Sequence, residues 1–364
     1  MLRAKIKTVT TVIVMTSIAV TGVYAAGRIY TNRPLDELKR YVDNRNLNIQ
    51  VVDTQLMLLD ARHSETTRLY NESKKQTAIL KNQIDRLNHD RMQHPKKMEQ
   101  QKLIERHKLQ IEYYRVCLLI KRLELTHREL ELTENQIIVE EEKLNLGDST
   151  QFAVDDLRNR QRQVQENIVN LIDSIKQGEN TLKARLNERT DVQFDPLFVI
   201  PSVVDVRVDY TLEELKTMCR NNNLSIIQLS AYIGFDNTLI SSIGNYVGTS
   251  DPAYSVAVSE RSSLKVELEL LNQQIDIYVE GQYNAFKQSH SIFDTLQERK
   301  GILNRQLDLL TAKFDVGDLS ELQYLTERFL ILKMMNDVYV ANVELINALS
   351  VIDLIENGII MGGS

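Results

Sequence analysis

Two histidines and an aspartate near residue 90 are the best candidates for metal chemistry. His89 and His94 are five residues apart, and Asp90 lies between them. Imidazole and carboxylate groups are common zinc ligands, but a zinc site needs further ligands that this group does not supply. We therefore favour a solvated loop that ends at Pro95, and we expect no metal site and no cofactor.

The other reactive side chains form no pattern that is typical of an active site. Carboxylates are abundant, but they follow the spacing of exposed helix faces, where they pair with Lys and Arg four residues away. We find no nucleophile beside a base, no phosphate-binding glycine loop and no paired-carboxylate pocket, so we expect no enzyme. Cys117 and Cys219 lie far apart among apolar residues of predicted helices, which favours two buried thiols over a disulfide.

A long helix with two apolar stripes must position most of the chain. One stripe recurs every seven residues: Ile104, Ile111, Leu118, Leu125, Leu132, Val139 and Leu146. The other is Leu109, Val116, Leu123, Leu130, Ile137 and Leu144. The two stripes are two residues apart, about 200° around a helix, whereas a two-stranded coiled coil shows one seam. The helix therefore has a neighbour on each flank, and we predict an assembly seam at Ile111, Leu118, Leu125, Leu132 and Val139.

This helix ends abruptly at a Gly-Asp pair, and a second such pair follows later. Gly147 and Gly317 can adopt the left-handed conformation that closes a helix. The spacing of Asp148 to Gln151, and of Asp318 to Glu321, predicts that each aspartate caps the next helix. A well-made helical turn explains these residues fully.

Composition agrees with long helices that have charged exteriors. The 364 residues include five prolines, thirteen glycines and no tryptophan. A net charge of −6 and the lack of a basic patch interleaved with aromatic residues argue against nucleic acid as a partner. We predict an all-α fold of long antiparallel coiled-coil helices.

The chain contains two copies of one helical unit. The segment that begins at Leu35 matches the one that begins at Leu212, an offset of 177, while the Gly-Asp pairs are 170 apart. The difference, 177 − 170 = 7, is one heptad, which leaves every stripe on its face. Each unit reads as a short opening helix, an outward helix, a return helix, the Gly-Asp turn and a last helix.

Predicted breaks at 88–95 and 243–252 separate the outward and return helices. A membrane β-strand needs about 9–11 residues, so neither break holds a pair of them, and we expect no membrane β-barrel. The predicted regions are a signal peptide or N-terminal membrane anchor (1–27), repeat 1 (28–190), an extended linker (191–209), repeat 2 (210–358) and a tail (359–364). Residues 8–27 carry no charge and follow a basic start, so we expect export, with the leader either cleaved or kept as an anchor in the cell envelope.

At the repeat anchors the chain resembles the TolC family of outer-membrane export ducts. The similarity lies in the Leu-x-Glu-Leu…Asn-x-Asn-Leu openings, the Lys-x-x-x-Gly-Asp turns and Asn347-Ala348-Leu349, and it covers roughly 34–357. It implies a homotrimer whose helices form a hollow α-barrel, working with a periplasmic adaptor (membrane fusion) protein and a membrane transporter. It also implies that the turns dock the helical hairpin of the adaptor. The corresponding residues are Gly147, Asp148, Ser149, Thr150, Gly317, Asp318, Leu319 and Ser320.

Two functions therefore remain open at this stage. The first is a TolC-like duct that is the extracytoplasmic component of an export machine. The alternative is an envelope-anchored coiled-coil scaffold with no role in transport. An adaptor is weaker than both, because adaptors flank their helical hairpin with β-domains and only 191–209 is extended here.

Overall fold

The computed structural model describes residues 33–73, 77–201 and 210–361, and 87% of these residues are helical. No strand occurs within those three ranges, so the all-α prediction is confirmed. The predicted leader, 1–27, lies outside them. The helices are α1 (Leu35–Arg45), α2 (Leu47–Glu72), α3 (Thr77–Leu146), α4 (Gln151–Arg185), α5 (Leu212–Asn222), α6 (Leu224–Tyr246), α7 (Pro252–Asp315) and α8 (Glu321–Glu356).

The long helices form a wall of four columns. Two columns are single helices: α3 has 70 residues and α7 has 64, about 105 and 96 Å at 1.5 Å per residue. The other two are stacked pairs, α2 with α4 and α6 with α8. The order across the wall is α2/α4, then α3, then α6/α8, then α7.

Helix α3 has neighbours from the same chain along both flanks, as its two stripes predict. α2 and α4 follow one flank in succession, and α6 and α8 follow the other. Polar contacts mark each of these four interfaces. They are Arg91 to Asp60 at 2.6 Å (α2), Arg160 to Glu129 at 3.2 Å (α4), Tyr232 to Asp90 at 2.7 Å (α6) and His107 to Ser350 at 2.8 Å (α8).

The predicted helix break at 88–95 is wrong, because α3 runs through Pro95 without interruption. A proline inside a helix removes one hydrogen bond and costs about 3 kcal/mol. Contacts to α2 flank Pro95 on both sides: Arg91 binds Asp60, the buried His94 lies 2.8 Å from the Val52 carbonyl oxygen, and Lys97 donates to Gln55 at 2.8 Å. Instead, α2 ends at Glu72 and α3 begins at Thr77, and the sequence between them has neither glycine nor proline to signal a boundary. The break predicted at 243–252 is confirmed by the ends of α6 and α7.

In each repeat, the asparagine that caps the second helix also holds the end of the last helix. Asn46 caps α2 and donates to the Arg185 carbonyl at 2.9 Å. Asn223 caps α6 and donates to the Gly358 carbonyl at 2.9 Å. The side-chain amide therefore satisfies the helix start and the helix end together.

The described part of the predicted linker crosses the middle of the wall. The Tyr113 hydroxyl, on α3, donates to the Leu197 carbonyl and accepts from the Val199 amide at 3.0 Å. Asn342, on α8, donates to the Pro201 carbonyl at 2.6 Å. Burial raises the pKa of Tyr113 to about 12, which keeps its hydroxyl a donor.

Helix α8 is, within the described ranges, the one helix long and apolar enough to cross a membrane by length and composition. Of its most apolar 18-residue segment, 44% is buried inside the chain. It packs against both α3 and α7. We interpret it as the core helix of the wall, a position that demands the same apolar composition.

Candidate partner-binding ends and edges

The two Gly-Asp turns have the same backbone geometry. Gly147 and Gly317 both have φ +84°, in the left-handed region. In the first turn the Gly147 amide donates to the Leu144 carbonyl at 3.1 Å, and the Asp148 amide donates to Lys143 at 2.8 Å. The second turn repeats both bonds at an offset of 170, with lengths of 3.0 and 2.9 Å. This is the Schellman arrangement that closes a helix with glycine.

The prediction that each aspartate caps the following helix is wrong. Thr150 caps α4 by accepting from the Ala153 amide, and Ser320 caps α8 in a reciprocal box with Gln323. Asp148 and Asp318 instead close the preceding helices, because their backbone amides donate to the ends of α3 and α7. The Schellman turn needs two residues past the last helical one, and this moves the cap two positions on.

The predicted docking residues differ in how far they reach solvent. Gly147, Asp148 and Thr150 are exposed in the first turn, as are Gly317, Asp318 and Ser320 in the second. Ser149 is half-buried. Leu319 is also half-buried, because it packs against the cluster of Leu303, Leu310 and Ile331.

Three apolar side chains at this end reach solvent and were missed by the sequence argument. Phe152 is 81% exposed, Leu146 is 77% exposed and Val316 is 74% exposed. The one available signal was Leu146, whose stripe continues to the turn where no further helix residue can cover it. We call the end of the wall that carries these residues and both Gly-Asp turns the Gly-Asp end.

Local side-chain contacts support both turns. The Ser149 hydroxyl donates to Glu140, and together with Lys143 it lowers the pKa of that carboxyl. In the second turn, the rings of Phe314 and Tyr324 stack with centroids 4.3 Å apart. Rigid supports reduce the entropy that a partner must remove on binding.

The histidine pair lies within a helix, so its predicted position in a loop is wrong. His94 is buried in α3, and its Nε2 lies 2.8 Å from the Val52 carbonyl oxygen. The His89 ring contacts Tyr232 and Phe235 edge-on, with centroids 6.4 and 6.2 Å away. Within the described ranges, no group of three or more His, Cys, Asp or Glu side chains is placed to hold a metal ion.

The interpretation of the two cysteines as buried thiols is confirmed. Cys117 and Cys219 are both free and buried. Burial raises the pKa of Cys117 to about 12 and that of Cys219 to about 11. Both thiols therefore stay protonated and unreactive at neutral pH.

The five residues of the predicted assembly seam lie on α3 with unequal exposure. Ile111 is 38% exposed and Leu132 is 5% exposed, while Leu118, Leu125 and Val139 are half-buried. Since α3 has neighbours from its own chain along both flanks, little of this stripe is left for a second copy. Its part in assembly stays a prediction.

The outer columns have an uncovered apolar flank. On α7, the buried face includes Ile275, Val279, Phe286 and Phe293. The opposite face exposes Val256, Val266, Leu270, Ile277, Ile302 and Leu309. We call this exposed set the α7 edge.

The other outer column also exposes apolar side chains, though fewer of them. Its exposed residues are Leu47, Val51 and Leu58 on α2 and Val169 on α4. They lie roughly opposite the faces of α2 and α4 that bind α3. We call this set the α2/α4 edge. The wall therefore has two apolar edges, one on each side.

The fold matches solved structures of TolC-family outer-membrane channels. The Campylobacter jejuni CmeC outer membrane channel has a TM-score of 0.66 at 10% identity, over 89% of this chain and 85% of that one. The outer-membrane channel OprN has a TM-score of 0.62 at 12% identity, over 89% and 90%. The Neisseria gonorrhoeae MtrE channel in its open state has a TM-score of 0.59 at 9% identity, over 93% and 94%. No protein-family model and no curated protein matches the sequence.

Proposed function

We propose that this chain is one subunit of a TolC-like export duct in the cell envelope, and that three copies close into a ring. The observation that carries the proposal is the wall with an apolar edge on each side. The shared fold with outer-membrane channels supports it across nearly the full length of the chain.

Closure into a ring follows from the two edges. The α7 edge and the α2/α4 edge lie on opposite sides of one wall, so each can bind the other edge of a neighbouring copy. Such head-to-tail contacts form a ring when the rotation closes. Burying both edges removes these apolar side chains from water, which favours closure.

The mass of the assembly tests this step. We expect wild-type protein to run as a trimer in native mass spectrometry, and Ile277→Asp to run as a monomer. Ile277 is 75% exposed at the centre of the α7 edge, so in the ring its replacement would bury an unpaired charge.

Met92→Asp is the matched control for this test. Met92 is 79% exposed, but it lies on α3, whose flanks are both covered within the chain. We expect this variant to remain a trimer. A monomeric wild-type protein, or equal loss of assembly in both variants, would refute closure through the edges.

We further propose that the Gly-Asp end docks the helical hairpin of an adaptor protein, which connects the duct to a membrane transporter. Leu146, Phe152 and Val316 give this end exposed apolar side chains on rigid turns. A ring would present one set per subunit, so weak contacts would add through avidity.

Docking is tested at Phe152 and Val316 rather than at the capping positions. Replacing Thr150 would remove a helix cap at a cost of about 1 kcal/mol, and replacing Leu319 would disturb packing. We expect the pair Phe152→Lys and Val316→Lys to stop export and to stop cross-linking of the turn to an adaptor in cells. Trimer mass and helix content should not change.

Retained export and retained cross-linking in that double variant would show that the Gly-Asp turns are ordinary helical turns. Suppose in addition that the wild-type protein assembles, and that deleting it from the cell leaves export unchanged. The duct is then excluded. The envelope-scaffold interpretation would then account for the chain.

A further inference from the structure

A surface groove of about 570 Å³ lies between α2 and α3. Its lining residues are Ala61, Arg62, Glu65 and Thr66 from α2 and Gln83, Arg86 and Leu87 from α3. Residues at these spacings share a face of a helix, so each helix turns one face towards the groove. Space remains between the two faces because α2 is buried only near its start, at Ile49 and Val52. The volume falls within the range of small-molecule sites, about 300–1,000 Å³.

Arg86 presents a fixed cation to this groove. Its guanidinium donates to the Asp236 carboxylate, lies 4.7 Å from the centroid of the Tyr232 ring and is 3.9 Å from Glu260. Asp236 is fully buried and also accepts from Asn82 at 3.0 Å, so this carboxylate is itself held in one position. The Arg86 side chain keeps 26% of its surface exposed. A guanidinium held in this way loses little further entropy when an anion binds to its open side.

Arg62 gives the groove an excess of positive charge. It is exposed on α2, and no carboxylate in the described ranges forms an ion pair with it. Among the lining residues the carboxylate is Glu65, and Arg68 binds it at 2.7 Å. This pairing lowers the pKa of Glu65, which is therefore ionised and neutralised by its partner at neutral pH. Since Thr66 and Gln83 are neutral, the charge of Arg62 is not offset.

We propose that this groove binds a small organic anion, with Arg62 and Arg86 on its carboxylate or sulfonate group and its apolar body against Ala61 and Leu87. Guanidinium groups recognise such anions through paired, charge-assisted hydrogen bonds. Most of the accessible lining is apolar, which favours an anion with an apolar body over an inorganic ion. A neutral molecule would remove water from the guanidinium groups without replacing its hydrogen bonds. The paired Glu65 disfavours a second negative charge.

Energy transfer can locate the bound anion, because the chain has no tryptophan and one introduced residue is the only indole. The probe is 1-anilinonaphthalene-8-sulfonate, an aromatic sulfonate that fluoresces at apolar sites. In full-length Met57→Trp the indole lies about one helical turn before Ala61, and we expect it to transfer energy to the bound probe. Met57 is 71% exposed, so the change should not disturb folding.

The matched control for position is Phe152→Trp, at the Gly-Asp end. Phe152 is 81% exposed, and it is separated from the groove by most of α3, about 90 Å at 1.5 Å per residue. We expect no energy transfer from this indole.

A charge variant separates recognition of the anion from apolar contact. Arg62→Gln should weaken binding of the sulfonate about tenfold. It should not change binding of N-phenyl-1-naphthylamine, which has the same rings without the sulfonate. Arg62 is exposed, so the melting temperature should stay the same. Arg189→Gln removes another exposed guanidinium, outside the groove, and should alter neither affinity.

Three results would overturn the proposal. One is equal transfer from the indoles at positions 57 and 152, or none from position 57. Another is that Arg62→Gln weakens both probes equally or neither, which would leave an apolar surface without anion recognition. The third is transfer that disappears when the protein assembles, which would assign the groove to a neighbouring copy. The groove lies within one chain, so failed ring closure or failed docking would produce none of these results.

Discussion

The two repeats close with the same backbone around different interiors. In repeat 1 the closing turn of α4 has Asn187 in the left-handed conformation, with φ +53°, whereas in repeat 2 the closing turn of α8 has Gly358, with φ +76°. The amides around both residues make the same pair of hydrogen bonds to the preceding helix. A side chain is tolerated in one closing turn and absent in the other.

The interiors beside these turns explain the difference. A Cβ at Gly358 would lie 2.2 Å from the backbone carbonyl carbon of Asn222, the last residue of α5. The repeat 1 junction instead contains the buried carboxylate of Glu105, whose equivalent at an offset of 170 is Ile275, also fully buried. The two repeats thus share the backbone of the closing turn. The packing behind it differs, being polar in repeat 1 and apolar in repeat 2.

The largest effect should come from Gly358→Ala. The variant combines a left-handed conformation for alanine with a clash against backbone atoms that cannot rotate away. We expect a loss of at least about 4 kcal/mol of unfolding free energy, measured by urea denaturation. Asn187→Ala, in the matching turn, should lose only about 1 kcal/mol. Equal losses would show that the repeat 2 closure is no tighter than that of repeat 1.

Glu105→Ala should cost somewhat less. The Glu105 carboxylate accepts from Asn46 at 3.2 Å and Asn48 at 3.1 Å, and it lies 3.6 Å from Arg185. Its removal leaves the buried amide donors without this partner, and we expect a loss of about 3 kcal/mol of unfolding free energy. The loss is not larger because the neighbouring cations, Arg185 and Lys108, remain partly hydrated. Ile275→Val in the apolar junction should cost about 1 kcal/mol. Thermal melts of both variants measure the contrast, and a milder effect at Glu105 would remove the distinction between the interiors.

Gly147→Ala should have a small effect. A Cβ there meets nothing within 4 Å, so the cost is that of a left-handed alanine alone, about 1–2 kcal/mol. The same holds for Gly317→Ala, because the two Gly-Asp turns are equivalent. Denaturation curves should place the two variants together, and a large difference between them would contradict that equivalence.

The smallest effect concerns pH. Burial lowers the pKa of His107 from its ordinary 6.5, and Lys39 and Lys108 lower it further. Above pH 6.5 the imidazole is neutral in the folded and unfolded states, so its contribution to the unfolding free energy is fully present. As the pH falls below 6.5, the unfolded state binds the proton first, and that contribution is lost. His107→Gln should flatten this decline, measured as melting temperature between about pH 7 and pH 5. The exposed His127→Gln is the control, and an unchanged decline in His107→Gln would assign it to other groups.

Periodicity predicted the architecture well, for a physical reason. A helix with stripes two residues apart must have neighbours on both flanks, and α3 does. The repeat offset likewise predicted matching turns. Pro95 is a local helix breaker that the tertiary packing of α3 overrides, whereas the sequence between the end of α2 at Glu72 and the start of α3 at Thr77 contains neither glycine nor proline.

The candidate site was only partly predictable. The presence of glycine at 147 and 317 was enough to predict that a helix closes there. The positions of the caps were not predictable, because they depend on the Schellman geometry of each turn. The network around Glu105 joins residues up to 139 positions apart, so no local pattern reveals it. The α7 edge was not predicted, because only the contacts show which face of α7 lacks a neighbour.

Electron microscopy of the assembled protein tests the central claim most directly. If the α7 edge binds the α2/α4 edge of the next copy, end-on views will show a threefold ring of helices around an open centre. Side views will show walls about 100 Å long, the length of α3 at 1.5 Å per residue. A solid bundle without a lumen, or single walls that never close, would contradict the duct.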